Sequence, residues 1–244
     1  MRKLSLVKSK LKAVLFDLDD TLLRNSMDEF LDEYFRGLGA RVGHIIEYPQ
    51  FVKRLRAATR VMMENEGEAL NQELFDREFY PLAGKQKHEV EPFFDQFYQH
   101  DYPDLKQYTQ PISHAPKVVE CALALGLKTA LATNPLFPET AILQRMDWAG
   151  VGHFPFDLVT TYENSRASKP SLVYYQDIIR HLEVEPQECL MIGNEDWDMV
   201  AAHLGIITYF TPDGRSALAS TTPQPNYTGS LEGCLEVIKS LAGS

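Results

Sequence analysis

Two acids set two residues apart, with a hydroxyl at the next even step, form the first chemically loaded pattern in the chain. They are Asp17, Asp19 and Thr21, within Val14-Leu15-Phe16-Asp17-Leu18-Asp19-Asp20-Thr21-Leu22. The apolar run before them, 13–16, suits a buried strand. Along an extended backbone, residues i and i+2 project to the same side, so both carboxylates aim at one point beyond the strand's carboxyl end. That edge of an open α/β sheet is where ligands bind. A carboxylate placed there can act as a nucleophile.

Three further strand ends carry groups suited to the same chemistry. The run 128–133 (KTALAT) ends in Thr133-Asn134, a hydroxyl and an amide. The run 157–161 (DLVTT) is followed, after a short loop, by Ser168-Lys169-Pro170, which supplies a fixed cation. The run 189–193 (CLMIG) opens into Asn194-Glu195-Asp196-Trp197-Asp198, an acidic cluster. A nucleophile, neutral donors, a cation and acids together suit transfer of a phosphoryl group to a carboxylate. Two anions, carboxylate and phosphate, cannot approach closely without positive charge between them.

The elements that must position these groups follow from periodicity. Between residues 23 and 110 apolar residues recur at helical spacing, over 29–38, 51–65, 71–80 and 89–99. The block is rich in aromatics, which at such spacing read as helix–helix packing. It is expected to be an α-helical insert, with Thr109-Gln110-Pro111 as its return hinge. Beyond it, helices at 116–125, 137–147, 171–182, 196–204 and 231–241 alternate with the three strands above and a further one at 206–210. Residues 211–230, dense in Thr, Ser, Pro and Gly, are expected to be surface loop. Alternation of this kind means an α/β fold with a doubly wound parallel sheet. The expected domains are 1–22 with 111–244 as the core, and 23–110 as the insert.

Composition narrows the partners. A net charge of −10 argues against a broad nucleic-acid surface, which needs an excess of Lys and Arg. No apolar run approaches the roughly 18–20 residues that span a bilayer. The basic stretch 1–12 lacks the apolar region and cleavage site of a secretory signal. Cys121, Cys189 and Cys234 are odd in number and far apart. They are expected to be reduced thiols in a cytoplasmic protein, with Cys121 and Cys189 in the core. Seven histidines show no metal spacing. Arg54, Arg56 and Arg60 are expected on a solvated helix face, and Trp197 is expected to pack its loop.

The ordered set Asp17-x-Asp19-x-Thr21-Leu22, Thr133, Lys169-Pro170 and the acidic loop after Gly193 resembles the haloacid dehalogenase-like (HAD) hydrolase superfamily. The resemblance spans about 180 residues and accounts for the whole Rossmann-like core; it implies that the insert is a helical cap. It further implies a Mg2+-dependent phosphohydrolase, cleaving a small phosphorylated metabolite through an aspartyl-phosphate intermediate. In that scheme Asp17 attacks phosphorus, Asp19 is general acid and base, Thr133 and Asn134 hold phosphate oxygens, and Lys169 offsets the crowded negative charge. The implied Mg2+ lies between the Asp17 carboxylate, the Asp19 backbone carbonyl and an acid of the last motif.

That motif departs from the family pattern, which has Asp directly after the Gly, where this chain has Asn194. Glu195 or Asp196 is expected to reach the metal, with Asp196 placed ahead, and Asp198 to orient Lys169 or the loop. Two alternatives stay open. One is a metal-independent 2-haloacid dehalogenase, which shares the nucleophile but lacks the second acid of the first motif. The other is a non-catalytic binding protein of the same fold. A homodimer also remains open, although the insert's own core explains its aromatics.

Overall fold

A computed structural model describes residues 10–212, 214 and 217–243; residues 1–9 of the basic amino-terminal stretch, and positions 213, 215, 216 and 244, lie outside them. The chain enters through β1 (Ala13–Phe16) and turns back through β2 (Leu23–Asn25). Four helices follow: α1 (Met27–Arg41), α2 (Tyr48–Met63), α3 (Asn71–Phe79) and α4 (Lys87–Gln96). A π-helical turn (Phe97–Asp101) and a 3-10 helix (Tyr102–Tyr108) lead to β3 (Thr109–Pro111). Alternation then begins with α5 (Ala115–Ala124), β4 (Lys128–Leu131), α6 (Glu139–Trp148), β5 (Leu158–Val159) and α7 (Leu172–Leu182). It continues with β6 (Cys189–Gly193), the single turn α8 (Asp196–Met199), β7 (Ile207–Phe210), β8 (Tyr227–Thr228) and α9 (Cys234–Ala242).

Six strands form one parallel sheet in the order β5-β4-β1-β6-β7-β8. All four residues of β1 are fully buried, as a central parallel strand covered on both faces requires. Its side chains alternate between two cores. Val14 and Phe16 join the larger one, with α5, α6, α9 and the insert, while Ala13 and Leu15 face α7. The register sets Phe16 opposite Leu131 on one side and Ile192 on the other. The chains that leave these strands therefore emerge side by side at one edge.

Several boundaries differ from the sequence expectations. The return hinge is a strand: β3 pairs antiparallel with β2, so both ends of the insert are tied in one short ribbon. The helix expected over 89–99 ends as an α-helix at Gln96 and passes through the wider π-helical turn into the tighter 3-10 helix. Pro92 inside α4 and Pro103 at the start of the 3-10 helix each lack a backbone N–H, which weakens a continuous α-helical ladder. The loop 211–230 contains β8, where Tyr227 stacks on Tyr209 of β7 with ring centroids 6.4 Å apart. Cys189 and Cys234 are buried, whereas Cys121 is only half-buried. Among the described residues no helix is long and apolar enough to cross a membrane.

The insert is packed by its own aromatics and joined to the sheet layer. Tyr102, fully buried, meets Phe30 and Phe97 edge to face and stacks on Trp148 of α6 at 5.4 Å. A polar tie lies nearby. Asn71, the first residue of α3, is fully buried and donates from Nδ2 to the Pro135 carbonyl (3.0 Å) and to the Ser168 hydroxyl (3.1 Å). Its Oδ1 accepts from Asn65, and Ser168 donates in turn to the Met62 carbonyl at the end of α2. Asn71→Ala strands buried partners on both sides. It is expected to cost about 1–3 kcal/mol, read as a lower urea midpoint at an unchanged denaturant slope.

Candidate active site

The strand edge builds the site from the sheet outward. Just past β1, Asp17 donates its backbone N–H to the Ile192 carbonyl (2.9 Å), and only 5% of its surface is exposed. The chain then folds into a tight turn. Asp20 takes a left-handed φ of 55°, its N–H donating to the Leu23 carbonyl, and Thr21 donates its N–H back to the Leu18 carbonyl. That turn swings the Thr21 hydroxyl onto Asp17 Oδ2 at 3.0 Å. The other Asp17 oxygen accepts from Lys169 Nζ at 2.8 Å.

Lys169 is the buried hub. Its side chain has no exposed surface, and Nζ also donates to Asp198 Oδ1 at 2.6 Å. Asp198 is equally buried, and its second oxygen accepts from the Glu195 N–H at 3.1 Å. Burial pulls the Lys169 ammonium down, but Asp17 and Asp198 outweigh it and hold it well above its ordinary value. Burial pushes the Asp198 carboxyl up, while Lys169 and the Glu195 amide resist. The close approach requires Gly193, because a Cβ there would lie 2.2 Å from Asp198 Oδ2. Asn134, after β4, accepts the Lys169 backbone N–H at 3.2 Å. Ends of three neighbouring strands thus meet at one cation.

A cavity of about 660 Å³ opens above this network, between the strand edge and the insert. Asp17, Asp19, Asn134, Lys169, Asn194 and Glu195 line it, which brings most of the sequence-expected residues to one place. Two expected residues lie elsewhere. Thr133 is buried and does not line the cavity; its carbonyl accepts from the Thr160 and Tyr174 hydroxyls, which fixes the loop after β4. Asp196 points away, its Oδ1 accepting from the Ala219 N–H (3.0 Å) and the Thr222 hydroxyl (2.6 Å). Glu195, its extended neighbour just before the helical turn α8, lines the cavity instead. Trp197 is 40% exposed and lines the cavity instead of packing the loop. Insert aromatics expected only to pack helices also line it, Tyr34, Phe75 and Tyr98 among them.

Arg145 is a candidate site residue that the motifs did not disclose. It projects from α6 with 1% exposure, its guanidinium over the rings of Phe30 (5.4 Å) and Phe137 (5.5 Å). Nη2 forms an ion pair with Asp19 Oδ1, which also accepts from Asn25 Nδ2. Burial brings the guanidinium down to about 10, Asp17 opposing, so it is charged at neutral pH. The available signal was positional: Arg145 follows Ala141 and Ile142 at helical spacing and lies on the same buried stripe.

The donor set decides whether Mg2+ fits. Asp17 Oδ2 and Asn194 Oδ1 lie 3.0 and 3.1 Å from the one Thr21 hydroxyl, so two hard oxygens flank a single point. Glu195 lines the same wall. Among the described residues no three acidic, His or Cys side chains gather into a metal cage. Mg2+ takes one or two carboxylates and keeps several waters, so this all-oxygen set fits it.

The chain and its fold are similar to known proteins. A phosphoglycolate phosphatase of Aquifex aeolicus (strain VF5) is 25% identical over 195 residues, covering 78% of this chain and 79% of its own. A HAD phosphatase from Thermococcus onnurineus shares the fold with a TM-score of 0.57 at 18% identity, over 93% of this chain and 98% of that one. An L-2-haloacid dehalogenase from Xanthobacter autotrophicus, with chloropropionic acid covalently bound, gives the same 0.57 at 15% identity, over 94% and 98%. The two folds are equally similar, so fold does not choose between phosphate and halide chemistry. The model of haloacid dehalogenase-like hydrolases matches residues 11–204, from β1 through the loop that carries Glu195 and Asp198, and the chain belongs to that hydrolase family.

Proposed function

We propose that the protein hydrolyses a phosphate monoester with the help of Mg2+, through a phosphoryl-Asp17 intermediate. One observation carries this reading: Asp17 presents a nearly buried carboxylate to the cavity, one oxygen held by Lys169 and the other by Thr21, with a second acid, Asp19, on the same wall. The phosphoglycolate phosphatase relative supports the ester class. Three unpaired cysteines agree with a cytoplasmic setting.

In the first step an Asp17 oxygen attacks phosphorus, the bond to the ester oxygen breaks, and Asp19 gives that oxygen a proton. In the second, water attacks the same phosphorus and passes a proton to Asp19, and the bond to Asp17 breaks to free phosphate. Lys169 holds the nucleophile in place and offsets its charge as phosphate approaches. Asn134 is placed to hold a phosphate oxygen, and Thr133 shapes that loop from behind. When bound by Asp17, the Asn194 amide oxygen and Glu195, Mg2+ would supply the further positive charge that lets two anions meet.

Arg145 weights the two steps differently. A cation in contact favours the ionised carboxylate. It therefore helps Asp19 in the second step, where a base is needed, and opposes it in the first, where an acid is needed.

Asn194, standing where the family pattern has an acid, favours one second reading: metal-free attack of Asp17 on the carbon of a 2-haloacid. Asp19 on the cavity wall weighs against it, since halide departs without a proton and that reaction needs no second acid. Hydrolysis of para-nitrophenyl phosphate, measured with Mg2+ and then with excess EDTA, separates the two. Activity lost to the chelator is expected; release of chloride from 2-chloropropanoate in EDTA, without phosphatase activity, would establish the second reading. Inactivity toward both would favour a binding protein.

Asp17→Asn is expected to lower turnover by at least about a thousandfold with an unchanged circular dichroism spectrum; activity retained in that variant removes the mechanism. Glu195→Gln is expected to raise the half-saturating Mg2+ concentration by about tenfold or more, in kinetics and in calorimetric titration. Asp196→Asn should leave it where it was, and the reverse ranking would reassign the metal ligand.

A further inference from the structure

The far end of the cavity constrains the substrate more sharply than the Asp17 end does. Its insert wall presents apolar and aromatic side chains, Leu31, Leu38, Leu55, Phe75 and Phe94 among them, beside a charged group formed by Asp76, Lys87, Glu91 and Asp95. A volume of about 660 Å³ is in the range of sites that enclose drug-sized molecules and far exceeds the needs of a two-carbon ester. Charge on the walls is one-sided. Among the described residues, Lys169 and Lys87 are the only cationic side chains that line the cavity. Lys169 is committed to Asp17 and Asp198. Lys87 Nζ lies 2.7 Å from Asp76 Oδ2 and 3.5 Å from Glu91 Oε1, and both of these acids also line the cavity. Asp95 joins them, its carboxyl raised by burial and by the neighbouring Glu91. Arg145 is not a lining residue and is held by Asp19.

A leaving group that enters this space meets apolar surface, which favours a bulky hydrocarbon or aromatic body. A second anion on it would find, among the described lining residues, no cation without carboxylate partners and would face an excess of carboxylates. We propose that the preferred substrate is a phosphate monoester of an apolar alcohol of aromatic-ring size or larger, carrying no second anionic group. The phosphate end of this proposal rests on the phosphohydrolase reading; the leaving-group end rests on the insert wall.

The test is a matched pair of esters, 4-propylphenyl phosphate and 4-(2-carboxyethyl)phenyl phosphate, alike in size and differing in the terminal charge, with 2-phosphoglycolate as a third substrate. Steady-state kcat/KM on the unmodified protein with Mg2+ is expected to favour the propyl ester over each of the others by at least about tenfold. Equal values, or preference for either anionic substrate, overturn the proposal. In the double variant Asp76→Asn, Glu91→Gln, Lys87 loses its neutralising partners. The ratio of carboxyethyl to propyl activity is then expected to rise at least about threefold, and an unmoved ratio removes the charge argument.

A binding arm keeps the two readings apart. Isothermal titration of the free phenols, 4-propylphenol and 3-(4-hydroxyphenyl)propanoate, needs no catalysis. If no ester is hydrolysed, the phosphohydrolase reading fails by itself. Tenfold tighter binding of the propylphenol then sustains the leaving-group assignment. Equal binding, reversed binding or binding of neither overturns it.

Discussion

A fully buried ammonium with carboxylates at 2.8 and 2.6 Å is the constraint around which the rest of the sheet edge is arranged. Withdrawing such ions from water costs several kcal/mol each, and only close geometry with further hydrogen bonds offsets it. The chain meets those terms with residues from separate places. Gly193 leaves out a side chain so that Asp198 can approach, the Glu195 amide satisfies the second Asp198 oxygen, and Asn134 holds the Lys169 backbone. Thr21 completes the shell of Asp17 from within the turn after β1. Of the three groups, Asp17 and Lys169 line the cavity, and Asp198 stays sealed behind them.

The sheet was largely legible in the chain because buried parallel strands read as short apolar runs. The runs at 13–16, 128–133, 189–193 and 206–210 all became strands within a residue or two. β2, β3 and β8 were not legible: two or three residues carry no detectable period, and their pairing depends on partners far off in sequence. The insert's helices were plain from spacing, but their aromatics have two tasks. Tyr34 packs against Phe97 and Tyr102 and also faces the cavity, and periodicity reports only the first.

The site was readable where a strand end fixes direction. Asp17, Asn134 and Lys169 come from such places and meet as expected. Glu195 and Asp196 could not be separated, because residue type does not encode which of two neighbours an extended-to-helical turn points inward. Arg145 belongs to no motif. Its signal, a charge on the buried stripe of α6, acquires meaning only when Asp19 is seen beside it. Long-range juxtaposition, the part of a site that no local pattern records, accounts for both gaps.

The polar tie at Asn71 has a mechanical side. Ser168, which accepts from Asn71 and donates to the end of α2, is bonded directly to Lys169 in the chain. A displacement of α2 and α3 relative to the sheet layer would load those hydrogen bonds first and, through Ser168, the peptide carrying the ammonium. The hydrogen bonds that fasten α2 and α3 to the sheet layer thus end one residue away from the ammonium that holds the nucleophile.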